Sequence, residues 1–167
     1  MKDANLHIDE QQIWALLEEV KDPEVPVLSI VDLGIVRSVE VADEEIKIVI
    51  TPTYSGCPAM DVISMDIRLK FIEKGFRNVS IQQQLSPAWT TDWMSEEGRK
   101  KLTAFGIAPP NPIQQFCNKE MFSQEVVQCP RCQSYHTELV SQFGSTACKA
   151  LYRCNNCHEP FDYFKCH

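Results

Sequence analysis

The sequence predicts an α+β chain: a small three-stranded sheet with packed helices, followed by a short cysteine-rich module. Three observations lead there. Within the first hundred residues, two helix-spaced apolar runs interleave with three short strand-like runs. Six of the eight cysteines lie from Cys129 onward, and only Cys57 sits in the N-terminal two-thirds. The chain has 167 residues, 44% hydrophobic and 23% charged, enough for one ordinary core plus an appendage.

Asp9 is placed to cap a first helix, with Ile13, Leu16, Leu17 and Val20 on its apolar face. Pro23 and Pro26 end it and open an irregular stretch from Asp22 to Gly34. Residues 36–41 and 46–51 read as two strands of a hairpin joined by the polar residues 42–45. Residues 51–58, Thr-Pro-Thr-Tyr-Ser-Gly-Cys-Pro, form a loop. Residues 59–74 are then helical, with Met60, Ile63, Ile67 and Phe71 on one face and Gly75 as the stop. Residues 79–84 form a third strand, reached through a helix and so parallel to a hairpin strand. A loop carrying Trp89 and Trp93 leads to a short helix over 95–105, ended by Gly106. The expected organisation is a domain over residues 9–108, a linker over 109–124 starting at its prolines, and a second module over 125–167.

Cys129-Pro-Arg-Cys132 and Cys154-Asn-Asn-Cys157 are two Cys-x-x-Cys pairs twenty-one residues apart. Each presents two thiolates from one tight turn, and two such knuckles complete a tetrahedral four-sulfur site. Roughly forty residues cannot bury much core, so metal supplies the missing folding energy. The module therefore reads as a structural zinc ribbon, with rubredoxin-like iron the alternative metal. Cys148 and Cys166 remain as extra thiols in strand-like runs: two buried small hydrophobes, a redox pair or a second ligand set. Four thiolates make ligation by His136, His158 or His167 unnecessary.

Cys57 is the one thiol of the first domain. Gly56 permits a tight turn, Cys57 falls at the helix N-cap and Pro58 at the first helical position. Backbone N–H groups and the positive helix end there lower a thiol's pKa and favour a nucleophilic thiolate or soft ligand. A buried cysteine that merely caps the helix is the alternative. Asp22, Glu24 and Asp32 sit in irregular backbone, where turn and cap chemistry accounts for carboxylates. Trp89 and Trp93 either pack on the sheet or face a partner, packing being the ordinary outcome.

Sixteen basic against twenty-three acidic residues give a net charge of −7. Residues 1–123 carry nineteen acidic and twelve basic side chains, and residues 124–167 four of each. Neither part offers the basic surface that nucleic acid requires. No apolar run approaches the about 18 residues of a membrane span. The first twenty residues hold five acidic side chains and no apolar signal core. A cytoplasmic protein without membrane attachment is expected, and so is metal, not disulfide, use of the paired cysteines.

The run from Asp22 to Val27, the Asp32-Leu-Gly-Ile-Val36 segment and the loop over 51–58 together resemble the α+β domain of SufT-like iron–sulfur assembly factors. With residues 87–94 and the cysteine-rich tail, residues 10–167 resemble the PaaD family of bacterial phenylacetyl-CoA epoxidase systems. The resemblance implies an accessory role in aerobic phenylacetate catabolism, without catalysis of its own, beside a di-iron oxygenase and a flavin and [2Fe–2S] reductase. It implies transient handling of an iron–sulfur cluster or other metal centre, with Cys57 as the cluster-contact residue. Asp32, Thr51, Thr53 and Ser55 match the family's motifs around it. One thiolate cannot hold a [2Fe–2S] cluster, so a second must come from a homodimer mate, the client or a small thiol. A non-catalytic structural component, docked on the oxygenase, is the second function expected. A thiol enzyme is disfavoured because no base or cofactor motif accompanies Cys57.

Overall fold

A computed structural model describes residues 9–42, 45–110 and 126–165. Helix α1 (Glu10–Glu18) starts at Asp9, whose carboxylate accepts from the Gln12 amide at 2.7 Å while the Gln12 side chain accepts from the Asp9 amide, a reciprocal capping box. Strands β1 (Val36–Ala42) and β2 (Glu45–Ile50) pair antiparallel, with Val39 opposite Ile48. The turn at 43–44 lies outside the described residues. Ile46, Ile48 and Ile50 alternate along β2 and all face the core. Helix α2 (Ala59–Glu73) buries Met60, Ile63, Ile67 and Phe71, the face its spacing predicts. It returns the chain to β3 (Val79–Gln83), which pairs parallel with β2 in the sheet order β1-β2-β3. A 3₁₀ turn (Thr91–Trp93) precedes α3 (Glu96–Phe105), which Ser95 caps and Gly106 ends in the left-handed region.

The cysteine-rich module forms a second antiparallel sheet from β4 (Thr137–Ser141), β5 (Lys149–Cys154) and β6 (Pro160–Phe164), in chain order. Its own small core gathers Tyr152, Phe161 and Tyr163 beside Cys129 and Cys154.

The two sheets do not hang apart. Ala108 bridges to Tyr163, its amide donating to the Asp162 carbonyl at 2.8 Å and its carbonyl accepting from the Phe164 amide at 2.9 Å. Phe164 and Cys148 belong to the larger core, and the Phe164 ring meets Trp89 edge-on. Trp89 therefore packs: it is buried, and its indole N–H donates to the Leu33 carbonyl at 2.8 Å. Trp93 is half-buried beneath the Arg37 guanidinium, 3.4 Å from the ring centre.

Candidate functional site

The four paired cysteines converge. The Cys129 and Cys157 sulfurs lie 3.8 Å apart, the Cys132 and Cys154 sulfurs 3.5 Å, and all four within 4.8 Å of one another. A tetrahedral ion with metal–sulfur bonds of about 2.3 Å spaces its sulfurs about 3.8 Å apart, so the donor set fits one metal ion. The four sulfurs share their protons unevenly: the Cys157 amide donates to Cys154 and, against burial and with the Asn156 amide helping, pulls that thiol down, while, despite the Ser134 amide, burial and the neighbouring sulfurs push Cys132 up. Cys129 and Cys154 are buried, Cys157 half-buried and Cys132 exposed. Among the described residues no histidine joins the group; His136 instead lies 3.4 Å from the Asn156 side-chain oxygen. Cys166 and His167 lie outside the described residues.

Cys57 closes the loop that follows β2. Its amide donates to the Tyr54 carbonyl at 3.2 Å, over Gly56 at φ +83°. The N-cap of α2 is Pro58, not Cys57, and no side chain caps the helix. The ring locks φ of Pro58, which here already has helical backbone angles and displaces the start by one residue. The Cys57 thiol still receives the Ala59 amide and hydrogen-bonds the Tyr54 hydroxyl. Its pKa is nevertheless raised, opposite to the sequence expectation: burial is the largest cause, the nearby charges of Glu24 and Asp22 add to it, and the two hydrogen bonds only partly compensate. The thiol is therefore protonated at neutral pH.

Thr51 and Thr53 are buried beside this loop, and Ser55 is exposed. The Thr51 amide ties the end of β2 to the Ile35 carbonyl at 2.9 Å, while its buried hydroxyl has no hydrogen-bond partner among the described residues. Asp32 is committed elsewhere. Its carboxylate accepts from the Ser29 amide at 3.0 Å, the Ser95 hydroxyl at 3.2 Å and the Lys101 ammonium at 2.8 Å. Those partners belong to its own loop and to α3, whereas the partners of Cys57 are Ala59, Tyr54, Glu24 and Asp22.

Sequence reasoning gave Asp22 and Glu24 to turn chemistry. That holds for Asp22, whose carboxylate accepts from the Glu24 and Val25 amides at 2.9 and 2.7 Å. Glu24 is different. Its carboxylate accepts from the Cys148 thiol at 3.3 Å, its carbonyl accepts from the Lys149 ammonium at 3.1 Å, and its charge reaches Cys57 and Tyr54. The signal available for it was Pro23 and Pro26, which stiffen the backbone on either side of a solitary acid.

The fold and site together define a three-stranded α+β domain with a cysteine loop at a helix start, extended by a four-cysteine metal-knuckle ribbon. The family profile "Iron-sulfur cluster assembly protein" matches residues 10–73, and "PaaD zinc beta ribbon domain" matches residues 114–165. A crystal structure of a domain of unknown function from Bacillus anthracis superposes with a TM-score of 0.52 at 28% identity, covering 56% of this chain and 90% of that one. An Fe-S protein maturation auxiliary factor from Porphyromonas gingivalis is 40% identical over 95 residues, 56% of this chain and 90% of its own. An Escherichia coli K12 protein, provisionally assigned as the D component of 1,2-phenylacetyl-CoA epoxidase, is 53% identical over 155 residues, 93% of this chain and 92% of its own. The chain belongs to this PaaD family.

Proposed function

We propose that the chain is an accessory protein of a phenylacetyl-CoA epoxidase system that matures an iron–sulfur or other metal centre of the reductase or oxygenase. Cys57 is the thiol that contacts the cargo. The observation that carries the reading is its placement: half-buried, fixed by the Ala59 amide and the Tyr54 hydroxyl, in a loop within the region matched to iron–sulfur assembly proteins. The cluster is cargo, and transfer is ligand exchange. A client thiolate forms a sulfur–iron bond as the Cys57–iron bond breaks, the released sulfur takes up a proton, and no electron changes hands. Cargo held by few protein ligands leaves readily.

In the ribbon the resident metal is zinc, a d¹⁰ ion whose four-thiolate site has no open position and therefore serves folding. Buried Thr51 and Thr53 and exposed Ser55 belong to the loop that carries Cys57, while Asp32 fastens its own loop to α3. No helix among the described residues is long and apolar enough to cross a membrane. The chain acts beside the epoxidase in the cytoplasm.

The test is a Cys57→Ser strain. Serine keeps an acceptor for the Ala59 amide, so stability changes by less than about 1 kcal/mol. The epoxidase components should still be made, and one should lack iron or sulfide by elemental analysis. The same components, loaded chemically with iron and sulfide, should turn over without this protein. Fully metallated epoxidase from the Cys57→Ser strain would overturn the carrier role. A second reading, a component that stays docked on the oxygenase, draws on the assignment of the E. coli relative to the epoxidase itself. It predicts co-purification at fixed ratio and loaded components that stay inactive until this protein is added one to one.

A further inference from the structure

Helix α2 carries a second apolar face. Met60, Ile63, Ile67 and Phe71 are buried in the larger core, yet Val62, Met65, Leu69 and Ile72 stand 46, 62, 51 and 53% exposed. At about 3.6 residues per turn the exposed four fall within an arc of about 80°, on the side of the helix opposite the buried four. Their 3-4-3 spacing is that of the seam along which one helix packs on another. A helix apolar on both sides ordinarily lies between two layers, and here the described residues cover one side only. Four large apolar side chains, each about half exposed, present roughly 400 Å². That is the size of the functional patches on monomers and about half of the roughly 800 Å² each partner gives to a stable complex. The area suits a partner that binds and leaves, not a permanent second copy. The rim states that partner's charge. Asp66 and Glu73 border the stripe on one side, and Asp61 and Arg68 on the other. Among the described residues none of these four enters an ion pair, and Lys70, one turn before Glu73, is taken by Glu19 at 3.0 Å. Three acids against one base leave the rim net negative. A second copy would set like charge against like, whereas a basic partner is drawn to it.

We propose that this stripe docks the client: an amphipathic helix of the cargo-receiving protein lays its apolar side on Val62, Met65, Leu69 and Ile72 and sets basic side chains along the edge that meets Asp66 and Glu73. This deepens the carrier reading and rests on it. Position agrees with charge and area. The stripe begins one turn into the helix whose Ala59 amide holds the Cys57 thiol, so a helix seated there starts about a turn from the cargo residue. From Val62 to Ile72 it runs about 15 Å, the length of three turns. Docking through a short, half-exposed seam with a charged edge gives fast encounter and ready release, which a carrier needs at delivery.

The experiment uses the full chain, its ribbon loaded with zinc, and as probes the purified oxygenase and the purified reductase of the epoxidase. Binding is titrated by biolayer interferometry without cargo, at low and at high salt. Met65→Gln/Leu69→Gln removes the middle of the seam with two good helix formers, and Glu73→Lys reverses the rim at a helix C-terminus, where a cation is favoured. Phe105→Gln alters a comparably exposed apolar side chain on α3 and is the control. One component should bind the wild type. The seam variant should weaken that binding at least about tenfold, as the loss of central apolar anchors does, while Phe105→Gln leaves it unchanged. Glu73→Lys should weaken it several-fold at low salt and little at high salt, where screening already removes the rim's attraction. Circular dichroism establishes that the variants fold; should the seam variant not fold, Glu73→Lys decides. Undiminished binding by the seam variant, binding indifferent to Glu73→Lys, or a wild type that binds neither component overturns the client site. A wild type that sediments as a dimer, split to monomers in the seam variant, makes a second copy the occupant and overturns it too. The carrier reading is judged apart from these, by the iron content of epoxidase from the Cys57→Ser strain.

Discussion

Asp32 carries the acid of the Asp-Leu-Gly motif, and its environment shows what one carboxylate can fasten. Burial by itself would push its carboxyl up, but Lys101 and Ser29 outweigh burial and hold it below the ordinary carboxylate range. A depressed folded pKa means that the unfolded chain binds the proton more readily. The Asp32 contribution to stability is therefore complete above the unfolded value of about 3.9 and is lost as pH falls through the lowered folded value. Asp32→Asn keeps the shape and removes the charge facing Lys101 and two other donors. It should cost about 1–3 kcal/mol at neutral pH, and urea unfolding should show the difference from wild type shrinking by about pH 3. A difference that persists undiminished in acid would mean that shape, not charge, does the fastening. The Cys57 thiol shows the limit of reading such chemistry from spacing. Gly-Cys-Pro before a helix marks the amide at the helix start, and the Ala59 contact is there. The opposing charges of Asp22 and Glu24 come from thirty and more residues earlier, and no local pattern announces them.

At the scale of elements, the 29–34 loop and α3 are built as one joint. The Ser95 amide donates to the Asp32 carbonyl at 2.8 Å while its hydroxyl caps the Gly98 amide at 2.9 Å. Gly34 lets the Trp93 backbone come so close that an added Cβ would stand 2.2 Å from the Trp93 carbonyl oxygen, and its φ of +69° is left-handed. Gly34→Ala meets backbone on one side and strain on its own, so destabilisation above about 2 kcal/mol is expected, against a few tenths at an open exposed site. Denaturant midpoints of Gly34→Ala and of an exposed control such as Lys100→Ala measure the contrast; equal midpoints would mean that the joint yields freely. The helices and strands flanking this joint were legible because each is fixed locally. Met60, Ile63, Ile67 and Phe71 repeat with the helix, Asp9 and Ser95 cap, and Gly106 stops. The four ribbon sulfurs were legible for the same reason, since each knuckle is a turn of four residues. The joint and the Glu24–Cys148 contact were not, because they depend on which surfaces meet after the elements form.

The whole molecule poses the question of whether its two sheets stand or fall together. In the larger core, every buried side chain but Cys148 and Phe164 comes from residues 13–107, so the first domain owns nearly all of what holds it. Among the described residues the ribbon's core gathers only eight buried side chains, Ala150, Tyr152 and Cys154 of β5 among them, and it depends on its ion. Removal of the metal by a strong chelator, or Cys154→Ser, should therefore strip amide protection from β4, β5 and β6. Strands β1–β3 and helices α1 and α2 should stay protected in the same hydrogen-exchange experiment. The loss will not be silent in the first domain. Phe164 leaves the edge of Trp89, so tryptophan emission should shift to longer wavelength, and the thermal midpoint of the remaining domain should fall by several degrees for each roughly 1 kcal/mol of burial lost. Cys148 leaves with it, and so does its hydrogen bond to the Glu24 carboxylate. Helical circular dichroism that vanishes in the same transition as the metal would make the chain one cooperative unit.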